Sequence, residues 1–224
     1  MMTTPDAGAV PAALRARIAA DLAAVRPLPS PAWRAAWLTP FALLLLAAAP
    51  VAFELRPGAE RLGWIGTWGL SIVQAAAALA VVWAGLRDAV PGRSWSPAAA
   101  AALFVAPLGL MALITLASWV GNPVGLAAWW TVGGLCLAGS AASAMPAVAL
   151  ASVLAARAYP VHPVRTGALV GLGGGLMADA GWRLFCHFSA PGHVLTAHVA
   201  GVAVATIGGI VLTRRLAQQR NLRS

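Results

Sequence analysis

Residues 167–209 read GALVGLGGGLMADAGWRLFCHFSAPGHVLTAHVAGVAVATIGG. Two apolar, small-residue runs flank a short polar turn around Pro191 and Gly192. Each run is continuous rather than alternating, so it reads as helix and not as strand. A spanning helix needs about 20 mostly apolar residues, and both runs reach that length. The segment therefore reads as a hairpin of two transmembrane helices. Its turn region carries three of the four histidines (His187, His193, His198), one of the two cysteines (Cys186), and Asp179 with Arg183 just before it.

The rest of the chain repeats the pattern. Of 224 residues, 60% are hydrophobic and only 9% are charged, against about 25% charged in soluble domains. Six apolar runs appear, near 37–55, 64–86, 97–119, 129–156, 163–185 and 193–213. Trp64, Trp83, Trp95, Trp119, Trp129 and Trp130 fall near run ends, where interfacial anchors belong. The fold class expected is an all-α membrane protein with six transmembrane helices. Three parts follow: a cytoplasmic N-terminal helix and Pro-rich linker (1–36), the transmembrane domain (37–213) and a basic tail (214–224). The polar start, with Asp6 and Asp21, does not read as a cleavable signal peptide.

All 15 basic residues are arginine, and the formal charge is +9. Topology explains the excess better than nucleic acid does. Twelve arginines fall in the two tails and the even-numbered loops; only Arg56, Arg61 and Arg183 fall on the other side. The positive-inside rule then puts both termini in the cytoplasm, which six spans satisfy. Within the N-terminal tail, Leu14, Ile18, Leu22 and Val25 recur at helical spacing before Pro27 ends the helix. This helix suits either the bilayer surface or a cytoplasmic partner.

Helices in lipid associate through small residues. Three rows at intervals of four qualify: Gly139, Ser143, Ala147 and Ala151; Gly167, Gly171 and Gly175; Ala197, Gly201, Ala205 and Gly209. They predict a tight unit of the last three spans. Asp179 and Arg183 pair at i, i+4.

The topology gathers Cys136, Cys186, His198 and Asp179 in the outer half of the bilayer, with His187 and His193 at its interface. Three readings compete: a metal site, a redox site, or mutual satisfaction of polar groups. Different depths for Cys136 and Cys186 argue against an easy disulfide. His193 and His198, five apart, lie about 140° round an α-helix and off one another's face. Too few deep polar groups are present for a transport path.

The chain resembles the negative regulator of sigma-F family, six-span bacterial membrane anti-sigma factors. The resemblance lies in DLAAVRPLPSPAWR (21–34), RAYPVHPVRTGALVGLGGGL (157–176) and LFCHFSAPGHVLTAHVAG (184–201), and covers nearly the whole chain. It implies a non-enzymatic inner-membrane protein that sequesters an extracytoplasmic-function sigma factor and releases it under stress. It implies Cys136 and Cys186 as the sensor of an oxidant or a heavy metal. His187 directly after Cys186 departs from the simpler segment of many relatives, and His187, His193, His198 and Asp179 stand beside the cysteines as candidate auxiliary groups. Leu14, Arg15, Ile18, Leu22, Arg26 and Pro27 would help hold the sigma factor. No resident cofactor is expected beyond transient soft-metal binding at the cysteines. The partners expected are the sigma factor and the lipid bilayer, with no direct nucleic acid and no small-molecule substrate. The competing reading is a small membrane redox or metal-binding/transport protein using the same outward Cys/His cluster.

Overall fold

The computed structural model describes residues 11–21, 27–121 and 129–222, and all regular structure among them is helical. Two of the residues expected to hold a partner, Leu22 and Arg26, lie outside the described residues, as do the side chains of Trp129 and Trp130.

Helix α1 (Ala12–Asp21) realises the expected N-terminal helix, with no residue buried. Leu14 and Ile18 stand about half exposed. The first apolar segment starts earlier than expected, at Pro31. There α2 (Pro31–Ala36) begins with proline at a first-turn position, and Ser30 accepts the Trp33 amide as its N-cap. A turn then leads into α3 (Thr39–Phe53). Next, α4 (Ala59–Trp64) passes through a π turn (Ile65–Gly69) into α5 (Leu70–Asp88). The remaining long helices are α6 (Pro97–Gly121), α7 (Trp129–Ala156), α8 (Pro163–Phe185) and α10 (Val199–Asn221). Before α10 come the single turn α9 (Pro191–His193) and a second π turn, Val194–His198.

Among the described residues five helical segments are long and apolar enough to cross a membrane: Pro31–Phe53, Ala59–Asp88, Pro97–Gly121, Gly133–Ala156 and Pro191–Arg220. The chain is a helical membrane protein. The expected fifth run exists as α8, 23 residues long, but is not among those five. Its six glycines and its Arg165, Asp179 and Arg183 dilute its hydropathy.

That helix is the axis of the bundle, packed against α3, α5, α7 and α10. Glycines let the neighbours in. A Cβ at Gly167 would lie 2.6 Å from the Gly209 carbonyl oxygen, and one at Gly171 2.7 Å from that of Ala205. On other faces, a Cβ at Gly173 would meet the Ala78 carbonyl at 2.8 Å, at Gly174 the Val148 side chain at 2.5 Å, and at Gly181 the Leu45 carbonyl at 2.5 Å. The expected three-helix unit of α7, α8 and α10 is therefore present, and α5 and α3 close on the same helix. Close backbone approach supplies the dispersion contact that lipid cannot drive through hydrophobicity.

Two polar clasps fix one end of this bundle. Asp88, at the end of α5, accepts from Arg165 Nε and Nη2 (3.1 and 2.7 Å), from Thr166 Oγ1 (3.1 Å) and from the Trp95 amide (3.0 Å). Arg34 is fully buried and donates to Leu154 O (2.9 Å) and Leu86 O (3.1 Å). Those carbonyls lie in the last turns of α7 and α5, where helix acceptors lack intrahelical partners and the dipole favours a cation.

Candidate metal and thiol centre

The opposite end of α8 carries the chemistry. Cys186 caps α8, its amide bonded back to Trp182 O. Cys136 comes from the first half of α7. His193 closes the single-turn α9, and His198 ends the π turn that follows. The ligand-type atoms of these four buried residues all lie within 4.8 Å of one another. Cys136 Sγ and Cys186 Sγ are 3.8 Å apart. Cys186 Sγ is 3.3 Å from His193 Nε2 and 3.4 Å from His198 Nε2.

Two expectations need correction. The depth argument set Cys136 apart from Cys186, yet both are free thiols in van der Waals contact. Cys186 ends its helix and lies folded in against Cys136 and Ala197, so rise along an ideal helix misjudged its position. The angular argument set His193 apart from His198. It assumed an α-helix. The Val199 amide instead reaches back five residues to Val194 O. In a π turn residues five apart return to one face, and the two imidazole centroids are 5.3 Å apart.

Asp179 stands behind this group. Its Oδ1 is 2.6 Å from His198 Nδ1, while Oδ2 accepts from Arg183 Nε at 3.0 Å and from Gln74 Nε2 at 2.5 Å. The expected Asp179–Arg183 pair is present, and it does more than satisfy itself. Asp179 fixes the orientation of His198 and turns Nε2 toward the thiols. Arg183 also donates to Met111 O at 3.2 Å and to the Thr115 hydroxyl, linking α6 to the assembly.

His187 is not part of the cluster. It is exposed and meets Phe185 edge-on, 5.7 Å between centroids. Gln74, Thr115 and Arg56 are neighbours that the sequence did not single out as site groups. Arg56 sits in the loop between α3 and α4, its amide bonded to Leu184 O. Its Nε and Nη2 have no hydrogen-bond partner. Burial first, and then the Arg183 guanidinium, lower its pKa from the ordinary arginine value. Arg56, Arg183, Cys186 and His198 share a cavity of about 10 Å3, the room of about one water.

Chemically, two thiols and two imidazoles form a donor set for soft or borderline cations. In a tetrahedral centre with metal–sulfur distances of about 2.3 Å and metal–nitrogen distances of about 2.0–2.1 Å, ligand–ligand edges are about 3.3–3.8 Å. The observed separations of 3.3, 3.4 and 3.8 Å match those edges. The carboxylate on the far nitrogen of His198 is the usual outer partner of a metal-binding imidazole. The same two sulfurs can also close to a disulfide with a small movement.

The fold and site define a helical membrane protein with a buried Cys2His2 cluster at one end. Residues 18–218 match the family model described as negative regulator of sigma F. The chain belongs to that family, whose description makes its members negative regulators of a sigma factor. No curated protein and no solved structure matches significantly.

Proposed function

We propose that this protein is a six-span anti-sigma factor of the bacterial inner membrane, with both termini cytoplasmic, that releases an extracytoplasmic-function sigma factor when a soft metal enters the Cys136–Cys186–His193–His198 cluster. The observation that carries the metal reading is the convergence of those four donors within 4.8 Å. Helix α8, fifth in chain order, completes the six spans and is sheltered by the other five. Residues 1–36 form the sigma-factor-holding segment, 37–213 the transmembrane domain and 214–224 the basic tail. Leu14 and Ile18 on exposed α1, with Arg15, Leu22, Arg26 and Pro27, hold the sigma factor.

The physical route follows the helices. Cys136, Cys186, His193 and His198 would hold the metal, both thiols giving up their protons to solvent, and shared ligation would tie α7, α8 and the start of α10 together. Helix α7 carries Cys136 near one end and Leu154 near the other. Leu154 O holds Arg34, seven residues beyond Pro27 and the partner-holding segment. A shift of α7 therefore reaches the linker through one hydrogen bond. Moving a partner from 99% bound to 1% requires about 5.5 kcal/mol of differential binding. Structural metal–thiolate sites supply about 10–16 kcal/mol.

The 3.8 Å separation of the sulfurs supports a second input, oxidation of the two thiols to a disulfide. The test is titration of the reduced, detergent-solubilised full chain with Co2+ and Cd2+. Parallel reporter measurements of sigma-factor release are made in cells given metal or oxidant. One tetrahedral Co2+ per chain, abolished in Cys136→Ser and Cys186→Ser, is expected. Metal-induced release that persists in the double variant overturns the sensor.

A further inference from the structure

The end of the bundle that carries Arg34 also carries a cavity that the sensor does not use. It measures about 510 Å3, within the range of ligand sites. Three arginines line it: Arg34 from α2, Arg93 from the turn after α5, and Arg157 just after α7. Among the described residues no aspartate or glutamate does. Leu28, Val90 and Ala158 supply an apolar wall beside the charges.

Arg34 meets backbone carbonyls and, among the described residues, no carboxylate. Among the described residues the arginine–carboxylate ion pairs are Arg165 with Asp88 and Arg183 with Asp179, so none involves these three. Arg34 is 1% exposed, and its Nε has no acceptor even though both terminal nitrogens are bonded. A buried guanidinium with a spare donor beside an all-cationic wall sets a positive potential in the cavity. Arg93 and Arg157 are exposed and free to turn toward an anion.

The level of the cavity identifies the anion. Trp33 and Trp37, the residues bracketing Arg34 on its own segment, are 62% and 42% exposed. Exposed tryptophans at the end of an apolar helix mark the headgroup layer. A pocket at that depth, basic on one side and apolar on the other, fits a phosphate with glycerol and acyl chains attached. Basic pockets at helix ends are a known mode of anionic headgroup binding.

We infer that Arg34, Arg93 and Arg157 form a specific site for the phosphate of an anionic phospholipid, seated between the linker and the ends of α5 and α7. The site places a lipid against the linker that leads to the N-terminal helix. It requires only that the bundle sits in a bilayer, and stands apart from the metal reading.

The test is native mass spectrometry of the full-length protein released from micelles containing phosphatidylglycerol or phosphatidylcholine. One phosphatidylglycerol retained per chain, and no phosphatidylcholine, is expected. Arg93→Gln with Arg157→Gln lowers phosphatidylglycerol affinity about thirtyfold. Arg214→Gln with Arg215→Gln, exposed on the C-terminal segment, leaves it unchanged. Equal loss in both double variants means diffuse charge attraction and overturns the site. Displacement of the lipid by millimolar inorganic phosphate means that the bare anion suffices, and overturns the lipid assignment. Unchanged lipid retention in Arg93→Gln/Arg157→Gln with weakened sigma-factor binding assigns the arginines to an acidic protein surface, and likewise overturns it.

Discussion

Asp179 and His198 are joined at 2.6 Å, while the other nitrogen of the same imidazole lies 3.4 Å from Cys186. One carboxylate thus sets the direction of one metal-type donor. Asp179→Asn keeps the shape and gives up the anionic acceptor. Cobalt affinity is expected to fall about 10–100-fold, as for other outer-shell partners, with the one-per-chain stoichiometry kept. Competition titration against a chelator reads the change. Unaltered affinity would separate Asp179 from the site.

The π turn makes a sharper prediction. Five residues in a π turn and four in an α turn both return to one face. Deleting exposed Thr196 therefore closes the turn to α and leaves both imidazoles facing the thiols. Inserting an alanine after Thr196 does not. The deletion is expected to keep tetrahedral cobalt absorption, and the insertion to lose it. The reverse pattern would sink the role of this turn.

Glycine substitutions separate packing from helix propensity. Gly171→Ala puts a methyl 2.7 Å from the Ala205 carbonyl oxygen, whereas a Cβ at Gly134 meets nothing within 4 Å. The first should cost about 1–3 kcal/mol through overpacking. The second should be neutral or stabilising by up to about 1 kcal/mol. Thermal unfolding in detergent compares the two.

Arg34→Ala tests the link between cluster and linker. Each hydrogen bond from a charged donor contributes about 1.5–3 kcal/mol, and two are removed. The one-per-chain metal stoichiometry, set by the four donors at the far end of α8, should be kept. The metal-induced change in sigma-factor affinity should shrink. Full retention of that response would exclude α7 and Arg34 as the route.

Much of this was legible in the sequence, for identifiable reasons. Continuous apolar runs with no alternation leave only helices. The Gly167–Gly171–Gly175 row faces Gly209, Ala205 and Val202, because a period of four is a property of the backbone alone. The differences have one source: residue spacing describes an ideal α-helix, and the chain is not one at these points. A π turn rotates everything beyond it and brings His193 and His198, five apart, to one face. A helix end frees Cys186 from the steady rise and lets it fold in against Cys136. Arg34 was legible as a charge but not as a clasp. Its partners are backbone carbonyls 52 and 120 positions away, and backbone acceptors carry no residue-type signature. Gly173, Gly174 and Gly181 were visible, but which neighbours they admit depends on four helices closing round a fifth.

The glycine-rich character of α8 also bears on how the protein is made. A helix with six glycines, an arginine near each end and Asp179 inside its last two turns partitions less readily into lipid than an unbroken apolar run. Its partners in α3, α5 and α7 all precede it in the chain. During synthesis α8 meets a waiting groove of carbonyls and small side chains, with Gln74 placed to meet Asp179. The segment that ends in Cys186 is therefore expected to depend for its membrane insertion on the helices made before it. Damage to α5 or α7 would appear first as a chain with its last hairpin misthreaded, before any loss of signalling could be seen.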